Sequence, residues 1–209
     1  MLMSTIFIVD DHPVSQLAVQ VVANGKGYDV VGTCDNGHDA LVYLRNHRPD
    51  LVVIDIDIPP PDGLEVIKRL REENYPGGII VLTTHSDQHF VDRVRAAGAN
   101  GFISKNNQLD ALADAFRAVL NGYEFFPQRQ SSSGRPDSIQ PEKDLLSRLS
   151  NRELQVLGYI ARGELLVEIA EKLHVSNKSV STYKRRIMEK LGLSKTLELV
   201  EFAKRNHLA

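Results

Sequence analysis

Thr5-Ile6-Phe7-Ile8-Val9-Asp10-Asp11 is a short apolar run that stops at two carboxylates, and Leu51-Val52-Val53-Ile54-Asp55 repeats the pattern. Runs this short and this rich in β-branched residues read as strands buried on both faces, as in a parallel sheet. Further runs at Tyr28–Gly32, Ile79–Thr83 and Gly101–Ile103 alternate with amphipathic stretches near 14–24, 37–47, 64–73, 88–97 and 108–121. Five strands alternating with five helices predict an α/β architecture with helices on both faces of the sheet. Open parallel sheets bind ligands beyond the carboxyl ends of their strands, where Asp10, Asp11 and Asp55 are expected.

Any one of these residues could simply cap the following helix. Three clustered carboxylates without a partner would repel and raise one another's pKa, so together they point to a hard divalent cation, Mg²⁺. The other strand ends suggest what the cation serves. The fourth strand ends in Thr83-Thr84, and the fifth is followed by Lys105. A transferred phosphoryl group carries charge on three equatorial oxygens, which a cation, an ammonium and a hydroxyl can each hold. Asp55 is then the nucleophile.

The chain has 209 residues, a length for one or two domains. Residues 1–127 hold 10 Lys/Arg against 17 Asp/Glu, a net of −7, whereas residues 142–209 hold 13 against 9, a net of +4. A basic second module suits a polyanion. The lone Cys34 leaves no intramolecular disulfide, and no leader or long apolar span is evident, so a cytoplasmic protein without a membrane partner is expected. Gln128–Pro141 is polar and carries Ser, Pro and Gly, which reads as a flexible linker. Beyond it only helical periodicity remains, near 151–162, 166–173, 177–191 and 195–205.

Residues 4–121 resemble the receiver domain of two-component response regulators. The resemblance rests on Asp10-Asp11-His12-Pro13, Asp55 followed by Pro59 and Gly63, Thr83, and Lys105 within Gly98–Lys105. It implies a flavodoxin-like (βα)5 domain in which Asp55 accepts phosphate from a histidine kinase. It further implies that Asp11 and Asp55 bind Mg²⁺, with Asp10 acting through water and the Asp57 main-chain carbonyl completing the shell. Thr83 would move toward the phosphoryl group and Phe102 would follow inward. Two departures bear on the lifetime of the phosphorylated state: Thr84 stands where Ala or Gly is frequent, and Asp57 adds a carboxylate near the acceptor. Pro59-Pro60-Pro61 suggests a stiff loop after the site.

In the second module Ser150 and Glu153 have capping-box spacing. Glu168–Leu173 is a short helix, and His174-Val175-Ser176 turns into a longer one at Asn177–Leu191, which is helix-turn-helix geometry. Val180, Ile187 and Leu191 share one stripe of the longer helix, leaving Lys178, Ser181, Thr182, Arg185 and Glu189 outward. A charged face is often merely solvated, but this one follows a turn, in a basic domain, behind a linker. Lys and Arg can neutralise phosphates and bind guanine edges there.

Residues 145–209 resemble an all-α, four-helix LuxR-type helix-turn-helix domain, through Leu149–Leu157, Glu168–Leu173 and Val175–Tyr183. With the receiver in front, the chain is similar to NarL/FixJ-subfamily response regulators, and its ending Glu201–Asn206 to the BvgA/EvgA-like members. The resemblance implies phosphate contacts from Lys178, Ser179 and Tyr183, and base reading by Ser181, Thr182 and Arg185. It also implies dimerisation through Leu197, Val200 and Ala203. Leu165-Leu166-Val167 departs from a usual Ser-Asn-Lys, losing a polar cap and a phosphate-binding lysine, and Tyr183 and Arg186 replace a frequent His and Asn. The expectation is a phosphorylation-controlled transcription regulator, with residues 122–144 as linker. Its implied partners are a histidine kinase, promoter DNA, RNA polymerase and a second copy of itself. It would be no enzyme beyond catalysing its own phosphorylation and dephosphorylation. The rival readings are a phosphorelay intermediate whose helical module is an adaptor and, more distantly, a metal-dependent hydrolase.

Overall fold

The computed structural model describes residues 3–84, 88–105, 109–127, 145–146, 148–173, 175–206 and 208, except the side chains of His89, Leu109, Asp110 and Asn151. The linker expected at Gln128–Pro141 and His174 of the expected turn lie outside the described residues. The chain divides into two compact units, Met1–Gln130 and Ser131–Ala209.

In the first unit, β1 (Thr5–Val9), α1 (Pro13–Gly25), β2 (Asp29–Cys34), α2 (Gly37–His47), β3 (Leu51–Ile54), α3 (Gly63–Glu72), β4 (Gly78–Thr83), α4 (Gln88–Ala96), β5 (Gly101–Ser104) and α5 (Leu109–Leu120) alternate as the sequence predicts. The sheet is parallel, in the order β2-β1-β3-β4-β5. Ile6, Ile8, Leu51, Val53, Ile80, Leu82 and Ile103 meet Val19 and Ala23 of α1 and Leu112, Ala115, Phe116 and Val119 of α5 in one core. Alternate residues, among them Phe7, Val52, Ile54, Ile79 and Val81, are buried on the other face. There Phe7 stacks on Tyr43 of α2 with 4.1 Å between ring centroids.

β2 departs furthest from its expected bounds, running Asp29–Cys34 instead of Tyr28–Gly32, while β4 starts one residue earlier, at Gly78, and β5 ends one residue later, at Ser104. The register slips between Ile6 and Phe7, and Thr33 and Cys34 still find partners in Ile8 and Val9. Pairing with β1 thus outweighs the weak apolar character of Gly32-Thr33-Cys34. Helix starts follow local chemistry: Asn36 and Asp62 accept hydrogen bonds from the Asp39 and Glu65 amides, each at 2.9 Å.

The second unit is helical among its described residues: α6 (Asn151–Ala161), α7 (Leu166–Lys172), α8 (Asn177–Leu191) and α9 (Thr196–Arg205). α6 packs on α8 and α9, and α7 packs on α8. The buried stripe of α8 is Val180, Ile187 and Leu191, and Ile169, Ala170 and Leu173 close the α7 side. Ser150 and Glu153 form the expected capping box, in which Glu153 Oε2 accepts from the Ser150 amide at 2.7 Å. Glu153 also accepts from Lys190 Nζ of α8 at 2.6 Å, so one buried carboxylate both caps α6 and ties two helices together.

Candidate functional site

Register alone brings two of the carboxylates together. Val9 pairs with Ile54, so the next residue of each strand, Asp10 and Asp55, emerges at the same level of the sheet. The Asp55 amide donates to the Val9 carbonyl at 2.8 Å and fixes that level. Thr83 pairs with Ser104, and the Lys105 amide donates to the Thr83 carbonyl at 2.7 Å, bringing the lysine to the same end. The loop after Asp55 is held by close backbone approach at two glycines. A Cβ at Gly63 would overlap the Asp55 carbonyl, and one at Gly37 would overlap the Pro61 carbonyl.

The side chains converge. Lys105 Nζ lies 2.6 Å from Asp55 Oδ2 and 2.8 Å from Asp10 Oδ2, bridging the two carboxylates. Asp10 also accepts from the Ser15 hydroxyl and, at 2.9 Å, from the His12 amide. Gln16 Nε2 donates to the Asp10 carbonyl at 2.6 Å. The Asp57 amide donates to Asp55 Oδ1 at 3.2 Å. Thr83 is fully buried and Phe102 nearly so, while Thr84 is exposed.

Burial pushes the Asp55 carboxyl up to about 6, against the pull of Lys105 and with the help of Asp57 and Asp10. Burial works the other way on Lys105, but Asp55 and Asp10 outweigh it and raise its pKa. The two partners fare differently for a physical reason. The carboxylate is almost sealed and faces further negative charges, whereas the ammonium is 15% exposed and is flanked by opposite ones. A cation would relieve the remaining imbalance. Asp11 Oδ1 fits that role, because it is a buried oxygen that accepts no hydrogen bond although His12 Nδ1 lies 2.6 Å away. Donor atoms of Asp10, Asp11, His12 and Asp55 lie within 4.8 Å of one another, an oxygen-rich set of the kind Mg²⁺ takes.

On α8 the predicted contact residues divide. Lys178, Ser181 and Arg185 are exposed, with Arg185 Nε 3.9 Å from Glu189 Oε1, while Ser179, Thr182 and Tyr183 are half-buried. Ser179 Oγ lies 2.9 Å from Ser176 Oγ, and the Thr182 hydroxyl donates to the Lys178 carbonyl at 2.9 Å. Of the three apolar residues expected at a dimer contact, Leu197 is exposed, Val200 half-buried and Ala203 fully buried in the packing of α9. Ala203 therefore offers no surface in this conformation. His12, Ser15, Gln16 and Gly37 also build the first site without having been singled out for it. Only His12 and Pro13 stood in a recognisable motif; the others became significant through tertiary contact.

Carboxylates and a lysine converging at the strand ends of one unit, with a helix-turn-helix pair of helices in the other, define a class of signal-controlled DNA-binding proteins. Residues 6–117 match the response regulator receiver domain and residues 147–203 match the bacterial regulatory proteins of the luxR family; the chain belongs to the response regulators with a LuxR-type DNA-binding domain. It is 43% identical over 205 residues to the virulence-factor positive transcription regulator BvgA of Bordetella pertussis, covering 98% of both chains. It is 36% identical over 201 residues to the DNA-binding transcriptional activator EvgA of Escherichia coli K12, covering 96% of this chain and 98% of that one. Among solved structures, two RcsB dimers bound to two parallel DNAs match with a TM-score of 0.57 and 26% identity, over 97% of this chain and 98% of that one. No helix among the described residues is long and apolar enough to cross a membrane.

Proposed function

We propose that Asp55 is the phosphoryl acceptor of this regulator and that its phosphorylation favours a dimer competent to bind promoter DNA. The observation that carries this is the Lys105 ammonium bridging Asp55 and Asp10 at level strand ends. An Asp55 carboxylate oxygen attacks phosphorus, the bond to the donor's histidine nitrogen breaks, and an acyl phosphate forms on the chain. Lys105 exchanges its carboxylate contact for a phosphoryl oxygen, and the Thr83 hydroxyl turns to another. Asp11 and Asp55 would hold Mg²⁺, with Asp10 acting through water and the Asp57 carbonyl as a further ligand. Bound there, the ion supplies charge neutralisation for the transferred group. Phosphorylation changes the local charge by roughly one unit or more, and Thr83 and Phe102 carry that change away from Asp55.

The division we infer is a receiver over 4–121, a linker over 122–144 and a DNA-binding domain over 145–209. A histidine kinase supplies the phosphoryl group, and RNA polymerase meets the promoter-bound dimer. Lys178, Ser179 and Tyr183 contact phosphates; Ser181, Thr182 and Arg185 face base edges. Leu197 and Val200 are the exposed and half-exposed members of the dimer contact, with Ala203 packed beneath them. Acetyl phosphate with Mg²⁺ is expected to label the wild-type chain and not Asp55→Asn, and to shift only the wild type toward dimer in sedimentation. Labelling of Asp55→Asn would place the acceptor elsewhere. An Asp55→Asn chain that dimerised and bound its promoter like the phosphorylated wild type would refute the coupling.

A further inference from the structure

We propose that residues 123–127, with which the chain leaves the first unit, form a strap across the outer edge of β5, and that phosphorylation of Asp55 releases this strap into the linker. The inference rests on the reading of Asp55 as the phosphoryl acceptor that drives dimerisation.

The strap is shaped by the residues that end α5. Gly122, at a φ of 83°, donates to the Val119 carbonyl at 3.0 Å, and the Tyr123 amide donates to the Ala118 carbonyl at 2.9 Å. The chain thereby turns back onto the sheet beside β5, its outermost strand. Phe125 pairs with Gly101 as an isolated parallel rung, donating to the Asn100 carbonyl at 2.9 Å and accepting from the Phe102 amide at 2.8 Å. Gly101 permits that approach, since a Cβ there would meet the Phe125 carbonyl oxygen at 3.2 Å and Ile80 at 3.1 Å. Edge groups that would otherwise face solvent are covered.

Successive residues of an extended segment point to opposite faces, and the two rings of the strap divide accordingly. Phe125 packs against the core that α1 and α5 cover. Phe126 lies under the Arg95 guanidinium of α4, 4.2 Å from ring centroid to Cζ, and Arg95 Nε stands 3.6 Å from Glu124 Oε2. The ring contact is the stronger hold, because Glu124 is 64% exposed and so open an ion pair contributes little. The strap thus touches α4, β5 and the α5 side of the core at once.

Phe102 connects it to the acceptor. Its amide is bonded to the strap, and three residues further on Lys105 bridges Asp55 and Asp10. When Lys105 and Thr83 turn to the phosphoryl group and Phe102 moves inward, the Phe102 amide is drawn away from the Phe125 carbonyl. An isolated rung at a sheet edge belongs to the least stable part of a fold, so a small movement opens it. Arg95 and Phe126 are the positioning residues that keep it closed beforehand.

The test uses the full chain. Treatment with acetyl phosphate and Mg²⁺ is expected to speed hydrogen exchange at the Phe125 amide at least about fivefold in the wild type and to leave it unchanged in Asp55→Asn. Arg95→Gln is expected to exchange fast without a phosphodonor and to dimerise at least about fivefold more tightly than the unphosphorylated wild type, while still accepting label on Asp55. Arg95→Lys, which keeps the cation over the ring, should behave as the wild type does. Exchange at Phe125 that is unchanged or slowed in a labelled wild-type chain, or an Arg95→Gln chain with no gain in dimer, would overturn the strap and leave the acceptor intact. A wild-type chain that takes no label would overturn both.

Discussion

Asp55 titrates near 6 because its carboxylate is buried and has Asp57 and Asp10 for neighbours, Lys105 notwithstanding. Its folded value lies above its unfolded one, so protonation favours the folded state. The group therefore costs stability as pH rises from about 4 to about 6, and the full cost persists above that window. In metal-free buffer at pH 7, Asp55→Asn is expected to be more stable than the wild type by roughly 1–3 kcal/mol, and the difference should vanish near pH 4; paired thermal melts across this range check it. Removing Lys105 has the opposite sign. Lys105→Ala leaves two sealed carboxylates uncompensated and should cost about 3–5 kcal/mol, and adding Asp55→Asn to it should recover part of the loss, as a denaturant double-mutant cycle would show. At this scale the acidic trio and the lysine were legible in the sequence because each lies within two residues of the end of an apolar run. Ser15 and Gln16 were not, since their roles depend on which helix turn faces Asp10. Nor was Arg71, whose guanidinium reaches the carbonyls of Gly98, Tyr75 and Gly77 and the side chain of Asn100, residues drawn together only by the fold.

The helices show how far local signals carry. Ser150, Asn36, Asp62 and Ser176 each cap the helix their position announces. Leu165 does not. Its backbone has N-cap geometry and Glu168 accepts from its amide at 2.9 Å, but its side chain accepts nothing and is 66% exposed, with Val167 at 53%. Only half of a capping box is present. Leu165→Ser should supply the missing acceptor and raise the stability of the second unit by about 1 kcal/mol, measured by calorimetry of the full chain. At the other end of the domain, Glu153→Gln should cost about 1–2 kcal/mol. Burial opposes the charge on Glu153, yet Lys190 and Ser150 prevail and hold its carboxyl below its ordinary value. That stabilisation is present above the unfolded value and is lost as pH falls through the folded one, so the variant should converge on the wild type in acid. Strand bounds were legible to within a residue except in β2, where pairing carried the strand past a glycine. The stripe of α9 was harder to assign, since apolar spacing alone cannot separate Ala203, which is buried, from Leu197, which is not.

At the scale of the molecule, the charge division between the two halves is a sequence property, and it makes a statement about salt. Binding by a module with a net charge of +4 should weaken steeply as salt rises. Lys178→Ala should lower the salt slope by about one with sequence preference unchanged. Arg185→Ala should cost about 1–3 kcal/mol on the preferred site and relax the choice of base; fluorescence anisotropy at several salt concentrations separates the two. The two-unit organisation was legible from composition, and the purpose of the first unit became clear only with the second in view. The pairing of Val9 with Ile54 has one more consequence. Asp55 is joined by a single peptide bond to Ile54, a residue with no exposed surface, and its own carbonyl is pressed against Gly63. Charge placed on that side chain has little water to polarise and little slack beside it. Strain created there must leave along the backbone, which makes the end of the central strand a lever with a short input arm.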